Sequence, residues 1–365
     1  MKKSLSRSEY VYIASMLFGM FFGAGNLIFP VYMGQMAGRN MWPALIGFII
    51  TGVGLPLLGV AALGISRSSG LFELSSHISR PYGYFFTCAL YLTIGPFFAI
   101  PRCATTSFTV GIEQIIPQGS DKLSLYLLLF SLAFFAAALL FSLYPGKIMV
   151  WVGKILNPAF LLFLGILVVV TLVNPGAAIA EVEPAGDYAT VPFFEGFIEG
   201  YNTLDALASL AFGIVVVNVI RGLGVEDGDA VASNTVRAGI FSCLLMAVIY
   251  FFVTLIGVHS RGVMASAENG GVALAQIAKH YLGAPGLIVL AATVTLACLK
   301  TSVGLITSCA ETFAGMFKGL SYRAWAIIFS LVAFGFANFG LSNIISYSLP
   351  VLMFLYPLAI VLVLL

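Results

Sequence analysis

The chain is short of charge. Its 17 lysines and arginines and 15 acidic residues make up 9% of 365 residues, where an ordinary soluble domain carries about 25%. Most of the chain therefore cannot face water. Histidine is scarce too: His77, His259 and His280 stand in or near loops and do not cluster. The five cysteines, Cys88, Cys103, Cys243, Cys298 and Cys309, all lie in apolar runs without C-x-x-C spacing. They read as small buried residues, not as disulfides or metal ligands. No H-E-x-x-H, G-x-S-x-G or G-x-x-x-x-G-K-[ST] motif occurs, so no zinc hydrolase, nucleophile elbow or phosphate loop is expected. Neither an enzyme nor a chain with an ATPase partner fits these absences. Secreted disulfide scaffolds, nucleic-acid binders and disordered tails are excluded by the same composition.

What fills the chain is hydrocarbon: 60% of residues are apolar and the mean hydropathy is +1.05. A bilayer crossing takes about 20 apolar residues. Polar punctuation cuts ten such segments, at about residues 10–33, 43–65, 83–114, 122–143, 147–173, 198–220, 237–258, 285–315, 323–339 and 342–365. The reading is an all-α polytopic protein of the lipid bilayer. The basic stretch Met1 to Glu9 runs into the first segment without a cleavage motif and reads as retained. The last segment runs apolar to Leu365 with no polar cap, which reads as a chain cut short.

Orientation follows from lysine and arginine. With a cytoplasmic N-terminus, eleven of them fall inside and four, Arg39, Lys122, Arg261 and Lys279, fall outside, as the positive-inside rule requires. The loop from Asn174 to Glu195 carries Glu181, Glu183, Asp187 and Glu195 and no basic residue; it belongs outside. Residues 1–173 then form a first group of five spans and 198–365 a second of opposite orientation, joined by the outer loop 174–197. Each group opens with a glycine-interrupted helix, at Gly19, Gly23 and Gly25 in the first and at Gly213 in the second. Proline bends are expected at Pro96, Pro101, Pro158, Pro350 and Pro357. Broken helices in corresponding places of two oppositely oriented halves point to a transporter of inverted repeats, although glycine and proline also make plain packing kinks in membranes.

Ionisable residues inside apolar spans are costly, about 2.5–3.5 kcal/mol each on insertion scales. Arg102, Asp205 and Lys300 lie deep, while Glu113 and Glu311 lie nearer span ends. Glu113 can reach the outer interface, and Glu311 reads equally as a cap near the inner exit or as a gate. Arg102 lies about 6 Å and Asp205 about 9 Å to the outer side of the middle at 1.5 Å per residue. The expectation is an ion pair between them, gating the outer side of a central site.

Four stretches carry a family resemblance: G-A-G-N-L-I-F-P from Gly23 to Pro30, G-P-F-F-A-I-P-R from Gly95 to Arg102, L-A-C-L-K-T-S-V-G-L from Leu296 to Leu305, and P-V-L-M-F-L-Y-P from Pro350 to Pro357. The chain resembles the prokaryotic branched-chain amino acid:cation symporters, the system II carriers of leucine, isoleucine and valine. The resemblance implies the five-plus-five inverted-repeat fold of sodium-coupled leucine transporters, with helices one and six broken. It implies that backbone N–H groups of Gly23, Ala24, Gly25 and Asn26 meet the substrate carboxylate. Carbonyls around Phe21 and Phe22 and from Ala206 to Ser209 would meet its amine, and Phe212 its side chain. Asn26 reads either as a ligand-supporting amide or as a helix cap, and Phe212 as a contact or as ordinary packing. The usual sodium site would draw on carbonyls of Gly19, Phe22 and Ala297 and on hydroxyls at Lys300 and Thr301, of which only Thr301 has one. Lys300 could stand in for the ion, release a proton, or turn away to Asp205 or Glu311, so sodium and proton are both expected partners.

The leading expectation is a carrier in a prokaryotic cell membrane that imports branched-chain amino acids with a cation gradient by alternating access. A channel or a sensor could use the same broken helices. A channel would not saturate; a carrier would.

Overall fold

A computed structural model describes residues 5–23, 25–66, 68, 70–117, 120–143 and 157–365. The expected ligand Ala24, the basic residues Lys2, Lys3, Arg67, Lys147 and Lys154, and the first part of the fifth segment lie outside these residues. Among the described residues the chain is helical with no strand. The first span is split into α1 (Arg7–Phe21) and α2 (Gly25–Ala37). It is followed by α3 (Met41–Ile49), α4 (Leu55–Ile65), the short α5 (Leu71–Ser76), α6 (Arg80–Leu92), α7 (Ala99–Val110), α8 (Leu123–Ser142) and α9 (Asn157–Val173). Beyond the outer loop come α10 (Pro192–Tyr201), α11 (Asp205–Gly222), α12 (Gly228–Ser260), α13 (Gly270–Met316), α14 (Tyr322–Ala337) and α15 (Leu341–Leu364).

Among the described residues, six helical runs are each long and apolar enough to cross a bilayer: Gly25–Ile65, Arg80–Ile115, Leu123–Ser142, Gly228–Ser260, Gly270–Met316 and Leu341–Leu364. A bent pair, Pro192–Gly213 and Val215–Gly222, makes a seventh, and Leu161–Val173 and Tyr322–Ala337 are shorter apolar helices. The expected segments overlap these helices with three differences: the first begins in α1, Gly25–Ile65 joins its remainder to the second, and the fifth is described only from Asn157. The arm from Gly270 to Leu282 departs from the rest of α13 at Gly283, whose φ of +66° is open to glycine at little cost.

Lipid is as apolar as leucine, so helices in a bilayer associate through close contact and hydrogen bonds. Small residues supply the contact here. A Cβ at Gly34 of α2 would stand 2.2 Å from the Thr254 carbonyl of α12, and one at Gly257 of α12 would stand 2.1 Å from the Val31 carbonyl of α2. This reciprocal packing fixes α2 against α12. The third span kinks where expected: Gly95 leaves helical geometry (φ −90°, ψ −119°) beside Pro96, and α7 restarts at Ala99 with Arg102 in its first turn.

The two breaks differ from expectation in one place. The first lies where the glycines put it: the Phe22 N–H closes α1 on the Phe18 carbonyl at 2.7 Å, Phe22 is extended, and helix resumes at Gly25. The sixth span is interrupted at Asn202–Leu204, ahead of Asp205, in addition to the bend of 43° at Gly213, where the interruption is expected. Gly213 sits inside α11, at a 43° bend, and is small because Leu63 of α4 packs on it; a Cβ would meet Leu63 Cδ1 at 2.7 Å. Asp205 is thus the first residue of α11, where the helix dipole favours a carboxylate.

Candidate substrate and cation site

The two breaks face each other across a small cavity of about 30 Å³. Phe21, Gly23 and Asn26 line it from the first broken span, Asp205 and Phe212 from α11, and Arg102 from α7. No amino acid fits without the walls moving apart.

Asn26 ties the broken helices together. Its Oδ1 accepts the Gly23 N–H at 2.8 Å, so it folds back over the break. Its Nδ2 donates to Asp205 Oδ2 at 2.5 Å and to the Tyr250 hydroxyl. The Tyr250 hydroxyl in turn donates to the same Asp205 oxygen at 2.9 Å. Asn26, Asp205 and Tyr250 are each at most 2% exposed, so every bond in this triangle forms away from water, where an unmade one is expensive. The amide thus supports its own break and reaches across to the other.

Arg102 makes no direct ion pair with Asp205, although the two charges attract across the cavity. Its Nη1 donates to the Asn202 carbonyl at 2.5 Å and its Nη2 to the Thr203 carbonyl at 3.2 Å. These carbonyls end α10 and would otherwise be orphaned. The expected ion pair is replaced because each charge has a nearer use: the guanidinium caps the break and the carboxylate takes Asn26 and Tyr250. Arg102 also lies 5.0 Å over the Phe29 ring, and its Nη2 would stand 2.9 Å from a Cβ at Gly25. The guanidinium thus lies on the backbone at the start of α2, and Gly25 leaves it room.

Asp205, Ala208 and Phe212 line the cavity, three and four residues apart as one helix face requires. Ala206 and Ser209 were expected among the substrate contacts but fall on another face: the Ser209 hydroxyl donates to the Ala206 carbonyl at 2.7 Å and packs on Gly59 of α4. Phe212 stands where expected, its ring 6.2 Å from that of Phe21. Phe22 instead stacks its ring on Phe18 at 5.0 Å, within the first span.

Of the residues expected to couple a cation, Gly19 lies in the last turns of α1, and Thr301 faces the break. Its Oγ1 donates to the Ala297 carbonyl at 3.2 Å and would stand 3.3 Å from a Cβ at Gly23. Lys300 is half-buried beside it on α13. Glu113, in a short turn after α7, and Glu311, exposed near the end of α13, stand away from the cavity.

Sequence reasoning missed Tyr250, Asn202 and Thr203. Thr203 caps the second break, its Oγ1 accepting the Asp205 N–H at 3.3 Å, and Asn-Thr-x-Asp inside an apolar span was a legible cap signal. Tyr250 carried none, being one of 15 tyrosines.

The fold matches known transporters. Mhp1, a nucleobase-cation-symport-1 family transporter in a closed conformation with bromovinylhydantoin bound, superposes with a TM-score of 0.68 at 16% identity, over 97% of this chain and 77% of that one. MhsT in complex with L-phenylalanine gives 0.61 at 16% identity, over 93% and 80%. The chain therefore has the five-plus-five inverted-repeat transporter fold. Among sequences, the branched-chain amino acid permease BrnQ of Lactobacillus delbrueckii subsp. lactis is 57% identical, over 100% of this chain and 82% of the permease. The BrnQ of Bacillus subtilis is 42% identical over 100% and 82%. The branched-chain amino acid transport system 2 carrier protein of Pseudomonas aeruginosa is 40% identical over 95% and 78%. The family model described as branched-chain amino acid transport protein matches residues 6–365. The chain is a multi-pass membrane transporter and belongs to the branched-chain amino acid transport protein family.

Proposed function

We propose that the chain carries leucine, isoleucine and valine into a prokaryotic cell together with a cation, by alternating access. The observation that carries this reading is the buried Asn26–Asp205–Tyr250 triangle joining both broken helices beside Arg102. An α-amino acid has one anionic and one cationic end, and the cavity offers both complements. The start of α2, with N–H groups at Gly25 and Asn26 and the guanidinium of Arg102 above, suits a carboxylate. Asp205 and the carbonyls that end α1 near Phe21 and Phe22 suit an ammonium. Phe21 and Phe212 leave an aromatic, uncharged surface for a branched aliphatic side chain. The Gly23 N–H is already taken by Asn26, so this reading shifts the carboxylate toward Gly25.

The coupling ion would be a co-substrate between α1 and α13. Carbonyls of Gly19, Phe22 and Ala297 with the Thr301 hydroxyl form an oxygen set suited to sodium, while a proton held and released by Lys300 would couple without it. Residues 1–173 and 198–365 would act as the two repeats around the outer loop 174–197, with the N-terminus cytoplasmic.

Reconstituted in liposomes, the chain should take up leucine saturably, with isoleucine and valine competing and lysine not. Sodium and proton gradients imposed separately identify the ion, and Lys300→Thr tests its role in the choice. Conductance that never saturates would replace the carrier by a channel, and efficient lysine uptake would overturn the substrate assignment.

A further inference from the structure

A groove of about 770 Å³ opens along the seam of α1, α9 and α12, away from the substrate cavity. Its walls are almost wholly apolar, with Phe18 and Val248 at one end and Arg7 at the other. A smaller recess of about 250 Å³ adjoins it, sharing Tyr10 and Phe241 and adding Arg237. Between the two arginines, the Tyr10 hydroxyl donates to Asn234 Oδ1 and pins α1 to α12. Arg7 lies one turn before Tyr10 and Arg237 one turn after Asn234, so the arginines flank this bond. Both are exposed, and neither forms an ion pair among the described residues.

The dimensions match one lipid. From Arg7 to Phe18, and again from Arg237 to Val248, is a rise of about 16 Å at 1.5 Å per residue. Half of a hydrocarbon core of about 30 Å is about 15 Å. The seam therefore carries two arginines toward its Arg7 end, staggered on either side of the Tyr10–Asn234 bond, and an apolar trough about one leaflet long. Long arginine side chains reach to the headgroup level from stems laid on apolar surface, and a phosphate satisfies two guanidinium forks better than water does.

The geometry points to a binding site for one anionic phospholipid, its phosphate between Arg7 and Arg237 and an acyl chain along α1 and α12. This inference rests on the chain's membrane fold and not on its substrate. Because the lipid would bridge the half-helix α1 to α12, it would brace the first broken span from the side opposite the cavity.

The test uses the full chain, solubilised from membranes with equal phosphatidylglycerol and phosphatidylcholine, and counts retained lipid by native mass spectrometry. The parent should keep one phosphatidylglycerol in preference to phosphatidylcholine. Arg7→Gln and Arg237→Gln should each lower that retention about fivefold, the worth of one basic residue near an anionic surface, and Arg→Lys at either place should lower it less. Leu245→Trp keeps both arginines and fills the groove, so it should expel the lipid even if the glutamine variants fold poorly. Equal retention of the two lipids by the parent, or unchanged phosphatidylglycerol in Leu245→Trp, would overturn the proposal.

Discussion

The first and sixth spans break for different physical reasons. In the first, the backbone is crowded: Thr301 approaches Gly23 and Arg102 approaches Gly25, so glycine is needed for space. In the sixth, no glycine stands in the break. The non-glycine Leu204 holds a left-handed φ of +67°, a conformation that costs an L-residue roughly 1–2 kcal/mol. Hydrogen bonds hold it there: Arg102 on the Asn202 and Thr203 carbonyls, and Thr203 on the Asp205 N–H. One break is made by removing side chains, the other by satisfying backbone groups. Arg102 serves both, which makes it the residue where the comparison is most easily broken.

Arg102→Ala should have the largest effect. Two buried carbonyls lose their donors at about 1–3 kcal/mol each. Leucine uptake in proteoliposomes should be lost and the melting temperature lowered, with Arg102→Lys restoring part of both. A parent-like Arg102→Ala would show that the second break holds without its cap. Tyr250→Phe comes next. It keeps the ring packed edge-on against Phe48 and removes one bond to the Asp205 carboxylate. Hydrogen bonds to charged groups are worth about 1.5–3 kcal/mol, so leucine affinity should fall roughly 10- to 100-fold in an equilibrium binding assay.

Thr203→Val should cost less, about 1 kcal/mol for one lost hydrogen bond, seen as a small drop in thermal stability and a few-fold loss of uptake. Gly213→Ala should do least. Its new methyl meets the flexible tip of Leu63, and overpacking of that size costs about 1 kcal/mol. Uptake should stay close to the parent's. If Gly213→Ala abolished uptake while Thr203→Val left it intact, the working break of the sixth span would lie at Gly213 after all.

The sequence reveals these two breaks unequally. Glycine is a visible breaker, and the first break was placed correctly from Gly23 and Gly25. In the second, glycine marks the 43° bend at Gly213 but not the further break at Asn202–Leu204, which rests on polar groups and a strained leucine. Ala206 and Ser209 lie on the α4 side of α11 and Phe212 on the cavity side, a distinction set by packing that the motif alone does not carry. Depth and charge brought Arg102 and Asp205 to the same cavity, but could not say that each would take another direct partner, since a guanidinium donates to carbonyls as well as to carboxylates. Tyr250 became visible only when α2 and α12 packed through Gly34 and Gly257 and set its hydroxyl beside Asn26.

The central claim is that Asn26 and Asp205 act as one unit, joining the two broken helices around the bound amino acid. A double-mutant cycle measures this directly, with the leucine Kd determined for the parent, Asn26→Ala, Asp205→Ala and the double variant. Residues in one hydrogen-bond network couple by about 0.5–3 kcal/mol, and a short buried bond to a carboxylate belongs at the upper end. The account predicts that the double variant binds leucine no worse than the poorer single variant, a shortfall from additivity of tenfold or more by that scale. Losses that simply multiply would contradict it.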